Sequence, residues 1–393
     1  MYFCIHVYNL FINIQNFISK KTCINMQTSN NKKTILVICP YPEGFAASQR
    51  LKYEQYFDSW ENAGYKITVS PFFDLDTWNI LYKDGFFIKK VYGTLAGYLK
   101  RFLDLFRLKK FDHVYVCMWV TPLIDSFFER LYLRLSKHLI FDFDDAIHTE
   151  RDPNNKSILK KIFKGQKKIK ILIKGANSVI SSSPFNLSYC LENNIYNSAK
   201  YIPCSLDTRR FIPVNRPIAN DQKLSIGWTG TFTSAAYLDS IKEIMQKACQ
   251  ELDLKLILIT NFDYEIAGID LEVIKWKKET EIKDLQKIDI GLYPLIESPW
   301  ALGKGGLKVL QYMSLGIPSI SSNYGTAQYI VKNGINGFLV DTKEEWIDKI
   351  SLLAKDEELR RKLGNNARKH IELNYSIPAV ESLYLNSIAN TNK

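Results

Sequence analysis

The chain has 393 residues, 46% hydrophobic and 24% charged, a globular composition that excludes a disordered chain and, by its length, fits two domains better than one core. Its net charge of +11 implies an anionic partner, with nucleotide diphosphate, acidic lipid surface and nucleic acid all open on charge alone. The seven cysteines are scattered without a CxxC pair, several inside apolar runs such as Cys39 in TILVIC and Cys117 in HVYVCM; they read as core residues of a reduced, cytoplasmic protein.

In chain order, residues 1–32 come first as an N-terminal extension outside the core. Its apolar run is broken by His6, Asn9, Asn13, Gln15 and Asn16, and has neither the basic start nor the cleavage site of a signal peptide. An interfacial anchor and a dispensable extension both fit it, and Met26 ahead of the polar QTSNNKK favours the second. Apolar runs then follow at 34–39, 66–71, 113–118, 138–143 and 178–183, separated by helical spacing such as 51–60 and 123–135. Short runs apolar on both faces, alternating with helices, predict a parallel sheet covered on both sides.

The pattern pauses at IPVNRPIANDQK (212–223), which has linker composition, and restarts at 224–229, 254–260, 271–276, 288–294, 317–322 and 337–340. The expected organisation is therefore an N-terminal Rossmann-like domain over 33–212 and a C-terminal Rossmann-like domain over 213–375. Residues 376–393 are expected to form a C-terminal helix that can pack back on the N-terminal domain. Two doubly wound α/β units make a central cleft, and ligands of such sheets bind at the carboxyl ends of strands.

The most informative stretch is LYPLIESPWALGKGGLKVLQYMSLGIPSISSNYG (292–325). A strand is followed by a loop, then Gly305 and Gly306, then an amphipathic helix to about Ser314. Glycines at a helix start let a phosphate approach backbone N–H groups, where the helix dipole favours negative charge. Lys304, Lys308 and Gln311 stand at i, i+4 and i+7 on one predicted face, suited to a diphosphate followed by a ribose diol. A solvated helix face with a glycine-rich entry explains the same spacing.

The residues carry a resemblance. Pro294-Leu295, Trp300, Gly303-Lys304, Lys308, Gln311-Tyr312-Met313, Gly316-Ile317-Pro318, Ser321-Ser322, Gly325, Gly334, Gly337-Phe338-Leu339, Glu345-Trp346 and LGNNARKHIELNYS (363–376) together resemble family 4 glycosyltransferases. The likeness is to a subgroup with a GKxGxK…QYM nucleotide-binding segment, and extends more weakly over the N-terminal half. It implies the GT-B fold with 33–212 as the acceptor domain and 213–375 as the donor-nucleotide domain, a nucleotide diphosphate sugar as donor substrate, no cofactor and retention of anomeric configuration. Most of the larger family has two glutamates eight residues apart here. The second, which holds the donor ribose, matches Gln311, whose amide can still bond a diol; the first, which faces the donor sugar, falls at Gly303, leaving Glu297 as a stand-in only if its loop folds back.

Gly230 and Thr231 resemble the family's first strand–helix turn beside the donor phosphates, although a plain tight turn explains the glycine. Relatives carry Arg and Lys shortly after it, whereas here stand Phe232, Thr233, Ser234 and Ala235, so Lys304 and Lys308 are expected to supply the charge. Trp276 fits either a nucleobase border or the core. In the N-terminal half, Ser48 and Arg50 resemble the first-strand loop, on the acceptor or phosphate side of the cleft. Arg50, read at a helix start, is unfavourable to the dipole and so points to function.

Asp142, Asp144 and Asp145 end a strand, where buried carboxylates are costly without partners. Asp144 or Asp145 is expected to orient or deprotonate the acceptor hydroxyl; a capping cluster for a following helix is the plainer reading. His148 could assist or be incidental. The same aspartates resemble the manganese-binding DxD of single-domain transferases, but the second Rossmann-like half would then have no purpose, so no metal is expected.

Two basic, apolar stretches, 87–111 and 156–174, read either as peripheral contacts with the inner face of the cytoplasmic membrane or as ordinary sheet-covering helices. The chain is thus expected to move a sugar, as a hexosyltransferase, to a glycan or lipid-linked acceptor hydroxyl in cell-surface polysaccharide synthesis. A sugar-nucleotide epimerase on the same fold is the alternative. A basic nucleic-acid-binding protein is disfavoured, because no such module occurs and the charge tracks apolar surface.

Overall fold

The computed structural model describes residues 32–123, 126–149, 166–214 and 223–389. The extension before residue 32, the first half of the second basic stretch (156–165) and the centre of the linker (215–222) lie outside the described residues.

Twelve strands form two six-stranded parallel sheets among the described residues. The first comprises β1 (Lys33–Cys39), β2 (Tyr65–Pro71), β3 (His113–Cys117), β4 (Leu139–Phe143), β5 (Ser178–Ser181) and β6 (Ala199–Tyr201), ordered β2-β1-β3-β4-β5-β6. The second comprises β7 (Ser225–Gly230), β8 (Lys255–Thr260), β9 (Asp270–Lys275), β10 (Ile290–Tyr293), β11 (Ser319–Ser322) and β12 (Gly337–Val340), ordered β12-β11-β10-β7-β8-β9. Strand order reverses between β1 and β3 and between β7 and β10, so each sheet has a switch point open to a ligand at its carboxyl edge.

The runs are apolar on both faces because both faces are covered. Leu36, Ile38, Val114 and Phe141 pack into one layer of the first sheet, and Ile35, Val37, Tyr115 and Ile140 into the opposite one. Five helices bear on function: α1 (Ala47–Arg50), α2 (Phe87–Leu105), α3 (Gln166–Gly175), α4 (Leu307–Ser314) and α5 (Ile377–Ala389). Val380, Tyr384 and Ile388 of α5 join the layer of Ile35 and Val37, so the last helix covers the first sheet. Each such side chain contributes about 1.5–3 kcal/mol by its burial.

Two elements depart from the sequence pattern. β6 has only three partly exposed residues, too few to reveal a period. The single helix expected over 51–60 is instead a 3-10 turn at Glu54–Tyr56 and a helix at Phe57–Asn62, after the short α1. Tyr53 and Tyr56, three apart, are both fully buried, and a turn of three residues aligns that spacing.

Candidate active site

The carboxyl-end loops of the two sheets meet. After β10, Ser298 caps a short helix (Pro299–Leu302), its Oγ accepting from the Ala301 N–H at 3.2 Å. Residues 303–306 then lead into α4, with Gly306 at φ +74°, backbone that favours glycine. The helix therefore begins at Leu307, and Lys304 lies in the preceding loop. The three-residue helical stripe expected for Lys304, Lys308 and Gln311 is corrected: only Lys308 and Gln311 are helical.

Lys308 reaches from α4 to the end of β7. Its Nζ lies 4.2 Å from the centre of the Trp228 indole and donates to Ser234 Oγ at 3.3 Å. Among the described residues it has no carboxylate in an ion pair, and burial, followed by the nearby Lys304 charge, pushes its pKa down to about 7. Gly230 makes the approach possible: a Cβ there would stand 2.3 Å from Trp228 and 2.6 Å from Lys308 Nζ. Thr231 turns outward from the strand, its hydroxyl 2.8 Å from that of Thr233. Lys304 crosses the cleft, its Nζ 3.7 Å from Asp145 Oδ1 and 5.4 Å from the Tyr237 ring centre. Gly305 sits half-buried between these lysines.

A residue that sequence reasoning missed organises the other side of the cleft. Glu281, buried at the start of a short helix, takes both carboxylate oxygens to Arg50 Nη2 at 2.7 and 2.8 Å. Gln311 Nε2 and Trp276 Nε1 each donate to its Oε1 at 3.3 Å, and the Arg50 guanidinium lies 5.9 Å from the Trp276 ring centre. No local signal could have found Glu281, because its partner is 231 positions away. Arg50 stands in the last turn of α1, where the dipole favours a cation, so its supposed conflict with a helix start is also corrected. Its guanidinium is engaged by Glu281 across the cleft, while Ser48 is half-buried two residues earlier.

The aspartates divide. Asp142 is fully buried and committed, 2.5 Å from Lys52 Nζ and accepting from the Tyr115 hydroxyl. Burial pushes the Asp144 carboxyl up to about 6; the Lys52 charge opposes this, and Asp145 and Asp142 add to it. Asp145 has left-handed backbone, φ 51°, and its carbonyl accepts from Asn186 Nδ2 at 2.9 Å. Turn, not helix, follows at residues 145–148, so among the described residues the cluster caps no helix. His148 is buried in an aromatic stack, 4.2 Å from the Tyr189 ring centre, with its pKa pushed down to about 4 by burial.

The same turn accounts for the glycine at 303. A Cβ there would lie 2.3 Å from the Ala146 backbone N, so a glutamate side chain is excluded unless the aspartate turn moves. Asn186 Nδ2 also reaches the Gly303 carbonyl at 3.4 Å, joining the two loops. Glu297, the alternative acid, is exposed.

Residues 264–370 match the family model described as glycosyl transferases group 1. A curated relative, glycosyltransferase 1 domain-containing protein 1 of Xenopus tropicalis, is 26% identical over 113 residues, 29% of this chain and 32% of that protein. The chain thus spans about a third of the length of the curated relative it matches. Among solved structures, a glycosyltransferase from Rickettsia africae superposes with a TM-score of 0.64 at 16% identity, covering 92% of this chain and 100% of that one. HepE of Anabaena, in complex with UDP and glucose, gives 0.62 at 12% identity over 91% and 99%. Sucrose-phosphate synthase from Thermosynechococcus elongatus gives 0.60 at 14% identity over 91% and 98%. The fold is the GT-B arrangement.

Proposed function

We propose that the chain moves a hexosyl group from a nucleotide diphosphate sugar to a hydroxyl of a glycan or lipid-linked acceptor, retaining anomeric configuration, in cell-surface polysaccharide synthesis. One observation carries the reading. Lys308 is a basic group with no carboxylate in an ion pair among the described residues, at the switch point between β7 and β10. A diphosphate there would meet Lys308, the N–H groups opening α4 and, across the loop, Lys304. Such groups stabilise the departing diphosphate because their charge is already in place when the glycosidic bond breaks. HepE, of the same fold, was crystallised with UDP and glucose, which accords with a uridine nucleotide donor.

In this reading Gln311 and Glu281 face the ribose, with Trp276 bordering the base. Glu281 supplies a carboxylate that the helix lacks at Gln311. Asp144, held between ionised and neutral forms near pH 6, receives the acceptor proton, and Asp145 holds Lys304 until the diphosphate competes for it. Phosphate charge is met by lysines and backbone amides, so turnover needs no metal.

The test is a panel of nucleotide sugars, scored first by thermal stabilisation and then by transfer to glycan acceptors in excess chelator. At least one donor should stabilise the protein and be consumed with chelator present. If no donor stabilises the chain, the reading fails. Loss of turnover in chelator with rescue by manganese would instead favour the aspartates as a metal site.

A further inference from the structure

The two basic, apolar stretches look alike in sequence and fold oppositely. In α3 the apolar residues Ile169, Leu172 and Ile173 are buried, and Lys170 and Lys174 face solvent. Even its buried lysine, Lys168, is consumed internally, donating to the carbonyls of Thr121 at 2.9 Å and Leu123 at 2.6 Å. This half of 156–174 is a sheet-covering helix.

α2 is inverted. Its inward face carries Gly93, Gly97, Arg101 and Asp104. The glycines let the backbone close on Thr77 and Phe72, since a Cβ would stand 2.2 Å from Thr77 Oγ1 at residue 93 and 2.5 Å from the Phe72 ring at residue 97. Arg101, wholly buried, donates to the carbonyls of Val120, Cys39 and Ser70, to Ser70 Oγ and to Asp104. This satisfied polar network fastens the helix by its small and polar side.

The apolar residues consequently face outward. Ile88, Tyr92, Leu95, Leu99, Phe102 and Phe106 recur at heptad-like spacing, and each is between 48% and 82% exposed. At 1.5 Å per residue the stripe runs about 27 Å. A continuous exposed apolar face of this length on a soluble fold marks an interaction surface. Lys89 and Lys100 flank it, and Lys109 and Lys110 follow its end. The only acid in the helix, Asp104, is buried against Arg101 and Arg107.

We infer that α2 is a docking face for an anionic lipid surface, lying in the interface with its apolar stripe among acyl chains and its lysines at headgroup phosphates. No described helix is long and apolar enough to cross a membrane, so this face would lie on the bilayer. Charge selects lipid over a second copy of the chain: no exposed acid on the helix answers the flanking lysines, whereas phosphatidylglycerol does. The inference goes beyond the proposed transferase activity and does not rest on it, because its readout needs no nucleotide.

The test is co-sedimentation of the full chain with vesicles. Phosphatidylglycerol-rich vesicles should bind it, pure phosphatidylcholine vesicles should bind it far less, and high salt should weaken the binding. Leu95→Glu and Leu99→Glu should each reduce vesicle affinity about tenfold or more, since each puts a carboxylate among acyl chains. Both sites are exposed, so melting temperature should hold; if an acidic variant melts early, Leu99→Ser serves instead. Unchanged vesicle binding in these variants, or none by the parent chain, overturns the inference. A concentration-dependent dimer that Leu99→Glu dissociates, without vesicle binding, would assign the stripe to a second copy.

Discussion

Removing the Lys308 ammonium tests the donor site directly, because the structure sets both the size and the pH dependence of the effect. In the free protein its pKa is pushed down to about 7 by burial and by Lys304. A bound diphosphate adds negative charge beside Nζ and raises that pKa, so binding takes up a proton wherever the free amine is neutral. Below about pH 7 the ammonium is already present and affinity should be flat. Above it, affinity should fall by up to tenfold per pH unit, about 1.4 kcal/mol, until the pKa of the complex is reached. A hydrogen bond to a charged group contributes about 1.5–3 kcal/mol, so Lys308→Ala should weaken a nucleotide sugar by about ten- to 150-fold at pH 6.5 and abolish the slope. The fold should survive, because an unpaired buried cation costs desolvation energy that alanine does not, while the lost contact with Trp228 is about 0.5–2 kcal/mol. Calorimetry in buffers of differing ionisation enthalpy measures both affinity and proton uptake; the nucleotide sugar's phosphates are fully ionised across this range and do not interfere. Equal affinities for parent and variant, or a slope that persists in the variant, would sink the donor-site assignment.

The aspartate turn and the cleft-spanning ion pair yield further tests. If Asp144 accepts the acceptor proton, it acts only when ionised, so with donor held saturating, kcat/KM for the acceptor should rise with pH through about 6 and then level off. Asp144→Asn should then lower turnover at least about a hundredfold with nucleotide affinity near normal; if Asp144→Asn and Asp145→Asn both keep nearly full turnover, the turn is structural. Arg50→Ala leaves Glu281 buried without its cation, and loss of one partner from such a pair costs about 3–5 kcal/mol, with Trp276 and Gln311 holding the figure at the low end. Denaturant melts should register that loss, and replacing both residues by methionine should recover most of it. A cost under about 1 kcal/mol in Arg50→Ala would mean that the pair is solvated and the cleft open.

Periodicity located eleven of the strands: those buried on both faces are uninterrupted apolar runs, as in TILVIC and LKLILIT, and the partly exposed β2 and β9 keep enough apolar residues over six or seven positions to show. The short edge strand β6 escaped because three half-exposed residues carry no period. The glycines and lysines around residue 304 were equally legible, as the helix start at Leu307 depends on local backbone chemistry. Their helical register was not. Gly306 takes a left-handed conformation and starts the helix after Lys304, and the tertiary contact with Ile330, 2.5 Å from where its Cβ would be, helps to hold that turn.

What the sequence determined by itself was therefore everything set by neighbouring residues: the alternating elements, the two sheets, the glycine-rich loop before Leu307 and the acidic strand end. What only the tertiary structure decided was pairing between distant parts of the chain. Glu281 and Arg50 meet from positions 231 apart, and Lys52 rather than a helix terminus neutralises Asp142. Gly303 is small because Ala146 occupies the space its side chain would need. The direction in which α2 faces belongs to the same class. Its composition is amphipathic either way, and only the polar network of Arg101 with Ser70 and Asp104 decides that the apolar side turns outward. A buried charge takes its partners from wherever the fold brings them, so its role becomes readable only when distant parts of the chain are in contact.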